Sequence, residues 1–423
     1  AAYLFEKDYH STHGPKDFIA AFAQANAGDV SPNLDGKGGG HGAAGRADVE
    51  DIGGKQYRKA KSLFASAITP IIGPVDFRQQ YVDMRNVKIH DRYTTPALNK
   101  TTCPAAIGNS MLAGTSDGPG YGQQGVRNCT QIKSILPRLA CHVMTIKTVC
   151  QGVKPIVLQT NIQQPPWTAT VLPFSIIRVG SLAMVVSPFE LTTMSGRRIR
   201  EMVARDMRPL GIRYVVIAGY SNAYAGYVTT AQEYQAQRYE GASDLFGPWS
   251  LNAQMQIYNG LATAMLEDRP APKSDKVPNV LAWHQTDLQT GVAFDAPPIG
   301  RQYGEVDVPP AKHYRPGQTV TVKFFGAHPK NNFRTMSTFL LVQHYTRKGW
   351  VSIADDNDWN TTYHWQRLGV AASVVTIRWR IPKKQSRGYY RILYFGNAKS
   401  VSGKISPITG NSGDFLIDCK SPV

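Results

Sequence analysis

Long apolar runs are missing from this 423-residue chain. No stretch reaches the roughly 18 consecutive apolar residues of a spanning helix, so no segment of this sequence is expected to cross a membrane as a helix. Acidic residues are scarce against basic ones, 30 to 47, leaving a net charge of +17. Such an excess suits nucleic acid, an anionic lipid surface, or solubility alone. The Lys and Arg are spread out, with only short clusters such as Arg197-Arg198 and Lys383-Lys384, and no helix-turn-helix or RNA-binding signature accompanies them. Nucleic acid is therefore not expected as a partner, and an anionic lipid interface is preferred. Cysteine is limited to Cys103, Cys129, Cys141, Cys150 and Cys419, with no CxxC pair, so a zinc–cysteine site is not expected. Also absent are HExxH, GxSxG, and the Lys-Ser/Thr ending that would make "GKGGGHGAAG" a phosphate loop. The start, "AAYLFEKDYHSTHG", has no initiator Met and no signal-like segment. It reads as the middle of a protein whose upstream part is removed or carried on another chain.

What is present is a globular composition, 42% hydrophobic and 18% charged, at a length that favours two domains. Residues 17–25, "DFIAAFAQA", read as a short buried segment, and "YHSTHGPKD" as a flexible linker. "KQYRKAKSLFASAI" has helical spacing, with Tyr57, Ala60, Leu63, Phe64 and Ala67 on one face. A long Gly-, Pro- and Thr-rich loop region follows from about residue 93. In "FSIIRVGSLAMVVS" two β-branched runs flank Gly180-Ser181, a hairpin pattern. Ile199, Met202, Val203 and Met207 are spaced for a helix closed by Pro209 and Gly211. "RYVVIAGYSN" reads as a buried strand, and "FGPWSLNAQMQIYNGLATAML" as a long helix with its Pro near the start. Residues 268–280 are Pro-rich and polar, and beyond them short alternating strands argue for a β-sandwich of immunoglobulin-like size. The expected class is α+β: a mixed α/β part over 1–270, a linker over 271–280 and the sandwich over 281–423.

Four of the five cysteines fall within 48 residues, which suggests loop-closing disulfides and an oxidising compartment, with scattered buried thiols as the alternative. Sequons at Asn99, Asn128 and Asn360 fit secretion. Glu190 sits between a strand and a helix, where sites are often built. On position alone it reads first as a carboxylate complementing a helix dipole. Five tyrosines, at 220, 224, 227, 234 and 239, crowd into twenty residues after a strand. A phenol can donate to an oxyanion or, ionised, bind a metal, although aromatic packing accounts for such a cluster equally simply. His10, His13 and His41 lie among Gly and Pro and are not expected to bind metal. In "GDVSPN", Pro32 biases Ser31 toward an extended backbone, which can present a hydroxyl outward. By itself that hexapeptide is a turn.

Three stretches, "NAGDVSPN", "ELTTMSGRRIRE" and "SNAYAGYVTTAQEYQAQRYEGASDLFGPW", together resemble the neutral/alkaline ceramidase family, zinc-dependent amidases that release the fatty acid of ceramide. "TTCPAAIGNSMLAGTSDGPG" and "AAYLFE" are similar too, and the resemblance runs through about residue 270 and more loosely beyond. It implies that Ser31 is the catalytic serine, that Glu190 and Tyr227 are zinc ligands, and that Tyr239 hydrogen-bonds the substrate near the oxyanion. It also implies a Cys103–Cys150 disulfide; Cys129 and Cys141 lie between them and are candidates to pair, which leaves Cys419 unexplained. The family's zinc takes two further histidines from a region this sequence does not contain, and zinc needs four ligands, or three plus water. The chain is accordingly expected to be the C-terminal portion of the enzyme, completed by a companion N-terminal fragment. Ceramide is nearly insoluble, so the implied enzyme works at a membrane or micelle surface, secreted or at the cell surface. The competing readings are a deacylase of another N-acyl sphingolipid, such as a glycosphingolipid, and a non-catalytic lipid-binding fragment.

Overall fold

The computed structural model describes residues 1–418 apart from 14–17, 32–44, 95–99, 116–117, 134, 146–148, 164 and 281–290. His41 with its glycine run, Asn99 and Cys419 lie outside the described residues. The chain divides into two compact units, 1–285 and 286–423.

Unit 1 opens with helices α1 (Ala2–His13) and α2 (Gly45–Ser66). There follow β1 (Val75–Asp83), β2 (Ala106–Gly108), α3 (Ile135–Thr145), β3 (Ile156–Gln159), β4 (Val171–Val179), β5 (Leu182–Val186) and β6 (Glu190–Leu191). It closes with α4 (Thr193–Asp206), β7 (Tyr214–Ala218), β8 (Tyr227–Val228), α5 (Ala231–Ala236), α6 (Tyr239–Ser243) and α7 (Ser250–Leu266). The β-branched runs around Gly180-Ser181 form the expected hairpin β4–β5, and Gly180 takes the left-handed conformation (φ 55°) that its turn requires. β1 pairs antiparallel with β4, while β7 pairs parallel with β5, giving the sheet order β1-β4-β5-β7. Joining parallel strands demands a crossover; α4 supplies it, burying Ile199, Met202 and Val203 against the sheet. α7 adds Leu251, Ile257, Tyr258 and Leu261 to the same core, and Tyr258 Oη donates to the Val186 carbonyl at 2.9 Å.

Local pattern fails in four places. β7 is an edge strand, with Tyr214 and Val216 exposed, rather than a buried one. Residues 18–25 form no helix or strand and are largely exposed. Their apolar run is too short to build an element of its own; Phe18 instead stacks on Phe5 and Tyr9 of α1. The supposed linker "YHSTHGPKD" is helical as far as His13. The helical stripe of α2 is present, but Leu63 and Phe64 lie exposed on it. Both disulfides form, Cys103–Cys150 and Cys129–Cys141. A loop with the 47-residue separation of the first contributes about 4 kcal/mol of chain entropy.

Unit 2 carries β9 (Val306–Val308), β10 (His313–Tyr314), β11 (Thr319–Gly326), β12 (Leu340–Thr346) and β13 (Gly349–Asp355). They are followed by β14 (Thr361–Leu368), β15 (Ala372–Arg380), β16 (Gly388–Lys399), β17 (Ile405–Asn411) and β18 (Phe415–Ile417). One sheet runs β10-β18-β16-β12-β13, with β17 also on β16; the other runs β14-β15-β11-β9. Inward-facing residues of both, including Val322, Phe324, Val342, Ile377, Trp379 and Tyr390, pack into one core, as period-two alternation in a two-sheet unit requires.

Candidate active site

The site lies beyond the carboxyl ends of parallel strands β5 and β7, the edge where open α/β sheets bind ligands. "NAGDVSPN" is clamped there to the start of α4. Asn26 Nδ2 donates to the Thr193 carbonyl at 2.9 Å, and Gly28 N to the Leu191 carbonyl at 2.8 Å. Asp29 Oδ1 accepts from Thr193 N at 2.6 Å and Thr193 Oγ1 at 2.7 Å, satisfying a donor that a helix start leaves unpaired. Gly196 makes this contact possible, because a Cβ there would stand 2.2 Å from Asn26 Cβ. The clamp brings Ser31, two residues past Asp29, to the mouth of the crevice.

Glu190 and Tyr227 are paired directly, as the first residues of the parallel strands β6 and β8. Glu190 N donates to the Gly226 carbonyl at 3.0 Å. Gly226 has φ 81°, and a Cβ on it would lie 2.7 Å from the Ser243 carbonyl oxygen, so glycine is required there. Tyr220 (φ 55°) and Asn222 (φ 66°) hold left-handed backbone that non-glycine residues seldom adopt. That turn aims two phenols at one carboxylate: Tyr220 Oη donates to Glu190 Oε1 at 3.0 Å and Tyr224 Oη to Oε2 at 2.7 Å. Tyr239 meets Tyr227 edge to face, ring centres 5.4 Å apart. Ser31, Glu190, Tyr227 and Tyr239 together line one cavity of about 710 Å³, with Arg238 and Glu240 beside them. A neighbouring cavity of about 810 Å³ shares Ser31 and Glu190 and adds Tyr220 and Gln56. Glu190 therefore serves the cavity and three phenols rather than the helix dipole that its position in sequence suggests.

Burial, and after it the neighbouring Glu190 carboxylate, push the Tyr220, Tyr224 and Tyr227 phenols well above the usual tyrosine range. Without a cation they are neutral donors. A divalent cation beside Tyr227 would reverse that balance by its own charge. Among the described residues no Lys or Arg forms an ion pair with Glu190, and no group of three His, Cys, Asp or Glu gathers as a metal set. Glu190 and Tyr227 thus offer two hard oxygen donors to a cation, which fits part of a zinc shell and leaves at least one ligand to come from elsewhere.

Sequence reasoning missed the framework behind the cavity. Glu233 Oε2 accepts from Thr230 N (2.7 Å) and from Thr192 Oγ1 (2.9 Å), joining the caps of α5 and α4; the Thr-x-x-Glu spacing of Thr230 and Glu233 is a legible capping-box signal. Asp244, fully buried, accepts from Thr229 N and Oγ1 at 3.0 Å each and from Ser250 Oγ at 2.6 Å. Lys154, also buried, donates to the carbonyls of Asp244 and Ala106. Desolvation lowers Lys154 to about 7 and raises Asp244 to about 6, each opposed by the charge of the other. No local pattern announces that pair, since its members lie 90 residues apart.

A serine, a carboxylate and phenols converging at the strand ends of a mixed α/β unit, followed by an all-β unit, define a two-unit α+β chain with a polar crevice. The family described as "Neutral/alkaline non-lysosomal ceramidase, N-terminal" matches residues 1–256, and its C-terminal counterpart matches residues 258–417. The chain belongs to the neutral/alkaline non-lysosomal ceramidase family. It is 41% identical to the neutral ceramidase of Pseudomonas aeruginosa over 99% of its own length and 62% of that protein's. It is 35% identical to the neutral ceramidase of Mycobacterium tuberculosis, over 99% of this chain and 65% of that one. A solved ceramidase complexed with C2 superposes with a TM-score of 0.81 at 38% identity, covering 97% of this chain and 65% of that one. The crystal structure of neutral ceramidase from Pseudomonas aeruginosa gives 0.77 at 36% identity, covering 98% and 64%. The chain therefore spans somewhat under two thirds of the length of these relatives. It matches both the N-terminal and the C-terminal family regions, so the expectation of a C-terminal portion alone is corrected.

Proposed function

We propose that this chain carries the serine, carboxylate and phenol half of a ceramide amidohydrolase, which splits the N-acyl bond into a sphingoid base and a fatty acid. The observation that carries the reading is the convergence of Ser31, Glu190, Tyr227 and Tyr239 on one cavity, within a chain of the ceramidase family. Glu190 and Tyr227 would hold zinc, with two histidines supplied by a companion polypeptide. When bound, zinc supplies charge that polarises an amide carbonyl. Ser31, held by the Asn26–Asp29 clamp, presents Oγ to the carbonyl carbon. Tyr239 Oη donates to the carbonyl oxygen as negative charge grows on it. Tyr220 and Tyr224 fix the Glu190 carboxylate by one hydrogen bond to each oxygen. Arg238, Glu240 and Gln124 on the wall offer polar partners to the hydroxyls of the sphingoid head.

The second unit is read as an immunoglobulin-like sandwich, and the two disulfides support a secreted or cell-surface location. The net charge favours work on an anionic membrane or micelle surface. Ser31→Ala, assayed with the companion present, should abolish fatty-acid release while zinc content and fold are unchanged. Appreciable residual turnover would rule out Ser31 as nucleophile. Release from glycosylated ceramide rather than ceramide would instead identify a glycosphingolipid deacylase.

A further inference from the structure

One end of unit 2 combines positive charge with exposed aromatics. Residues 286–423 hold 18 Lys and Arg against nine Asp and Glu, and between Asp358 and Asp414 nine basic residues occur with no acidic one. The strand register shows where part of that charge collects. Tyr314 of β10 pairs with Ile417 of β18, Ile417 with Gly388 of β16, and His344 of β12 with Tyr390. Thr346 and Gly349 then close the β12–β13 hairpin, leaving Arg347 and Lys348 as its two-residue tip. Arg315, Arg387, Arg347 and Lys348 consequently stand in one row along a single end of the sheet. Asp418 is the acidic residue within that row, and it pairs with Arg387 at 3.5 Å. Lys383 and Lys384, both exposed, lie in the loop that feeds β16.

One step inside this basic row lies an aromatic one. Tyr390 is buried and His344 stacks on it, so the alternating neighbours Tyr389 and Tyr345, one step beyond the His344–Tyr390 pair, point outward. They are 55% and 54% exposed, far more than a tyrosine packed in a core. Tyr345 pairs across the next strand with Trp350, ring centres 5.2 Å apart. Arg391 lies over Trp350 at 4.2 Å and is steadied by Gln343 Oε1 at 2.8 Å. Rings with an apolar body and a polar tip settle at the headgroup level of a bilayer, and Lys and Arg beside them meet anionic lipid. A bare polyanion would use the charge and leave the tyrosines idle.

We propose that this end of unit 2, the Arg347-Lys348 hairpin tip with the Tyr389–Tyr345–Trp350 row, docks on an anionic lipid bilayer. The surface belongs to unit 2 alone and deepens the anionic-membrane reading above, on which it rests, while standing apart from the catalytic assignments. Its test involves no turnover, so it and those assignments can fail independently.

The experiment is co-sedimentation of the whole chain with phosphatidylcholine vesicles, with and without about one third phosphatidylserine. The chain should bind the anionic vesicles, and binding should fall as salt shortens the screening length. Each basic residue near such a surface is worth about fivefold in partition. Arg347→Glu/Lys348→Glu should therefore lose at least about 25-fold. Lys330→Glu/Lys404→Glu makes the same change of charge at the other end of β16, where Asn331 donates to the Asn397 carbonyl and Lys404 directly precedes Ile405, the partner of Lys399. It should lose far less. Tyr345→Ser/Tyr389→Ser should weaken binding while preserving its salt dependence. Equal loss from both charge-reversed variants, or no binding of the unaltered chain to anionic vesicles, overturns the proposal. So does binding to heparin or duplex DNA that the tyrosine variant leaves intact and that vesicles fail to compete. Matching circular dichroism and melting of each variant confirm that it is folded.

Discussion

Gly196→Ala tests whether the serine loop is placed by its clamp on α4. Inside a helix, alanine is ordinarily preferred over glycine by about 1 kcal/mol, so local propensity says the change stabilises. The tertiary contact says otherwise. The new Cβ would sit 2.2 Å from Asn26 Cβ and 2.4 Å from its Cγ, where carbon atoms rest about 3.5–4.0 Å apart. Asn26 must therefore retreat by about 1.5 Å, and overpacking of that kind costs about 1–3 kcal/mol. The two effects nearly cancel in stability, so the melting temperature should move by only a few degrees. Ser31 cannot stay in place, because Asn26, Gly28 and Asp29 are its anchors. A displacement of about 1 Å at a reacting group is enough to lower turnover by about a hundredfold. Fatty-acid release from a short-chain fluorescent ceramide, with the companion present, reads the loss. Hydrogen exchange at the Gly28 amide, which donates to the Leu191 carbonyl at 2.8 Å, reads the loosening without any activity. The double variant Asn26→Gly/Gly196→Ala removes the colliding side chain together with its bond to Thr193, so it should recover the rate only in part, through the remaining Gly28 and Asp29 anchors. Full activity in Gly196→Ala with an undisturbed Gly28 amide would refute the clamp.

Tyr239→Phe should lower kcat by about a hundredfold with little change in KM, as loss of one oxyanion donor does; a change confined to KM would assign Tyr239 to substrate binding alone. Lys154→Met leaves the buried Asp244 carboxylate without its counter-charge, destabilising by about 3–5 kcal/mol near neutral pH. Asp244 in the folded chain already titrates near 6, above the usual 3.8. The folded state thus binds more protons than the unfolded one between those values, and stability falls as pH rises through that window. Chemical denaturation of the variant should therefore show a smaller deficit at pH 5, where Asp244 is protonated, than between pH 6 and pH 7, where Asp244 and Lys154 are both charged. Equal deficits would mean that the pair does not interact.

Much of the fold is legible in sequence because it is written locally. The Gly180 hairpin, the apolar periodicity of α4 and the alternating strands of unit 2 each need only a few neighbouring residues to be read. β7 and the 18–25 segment are misread for the opposite reason. Apolar, β-branched "YVVIA" marks a strand, but whether the strand is central or at an edge depends on which others pair beside it. The short run around Phe22 is apolar, and among the described residues it stays largely exposed.

For the site, sequence alone pointed to the family through three long motifs, and through that resemblance nominated Ser31, Glu190, Tyr227 and Tyr239. Only the tertiary structure decided that the four share a cavity, because they meet through a parallel pairing of two-residue strands and a loop clamped to a helix start more than 160 residues away. The support of Asp29 and of the Lys154–Asp244 pair was equally invisible in the sequence, and Glu233 was legible only as the local capping box with Thr230. A buried charge is tolerated only where distant partners converge on it, and that convergence exists in three dimensions alone.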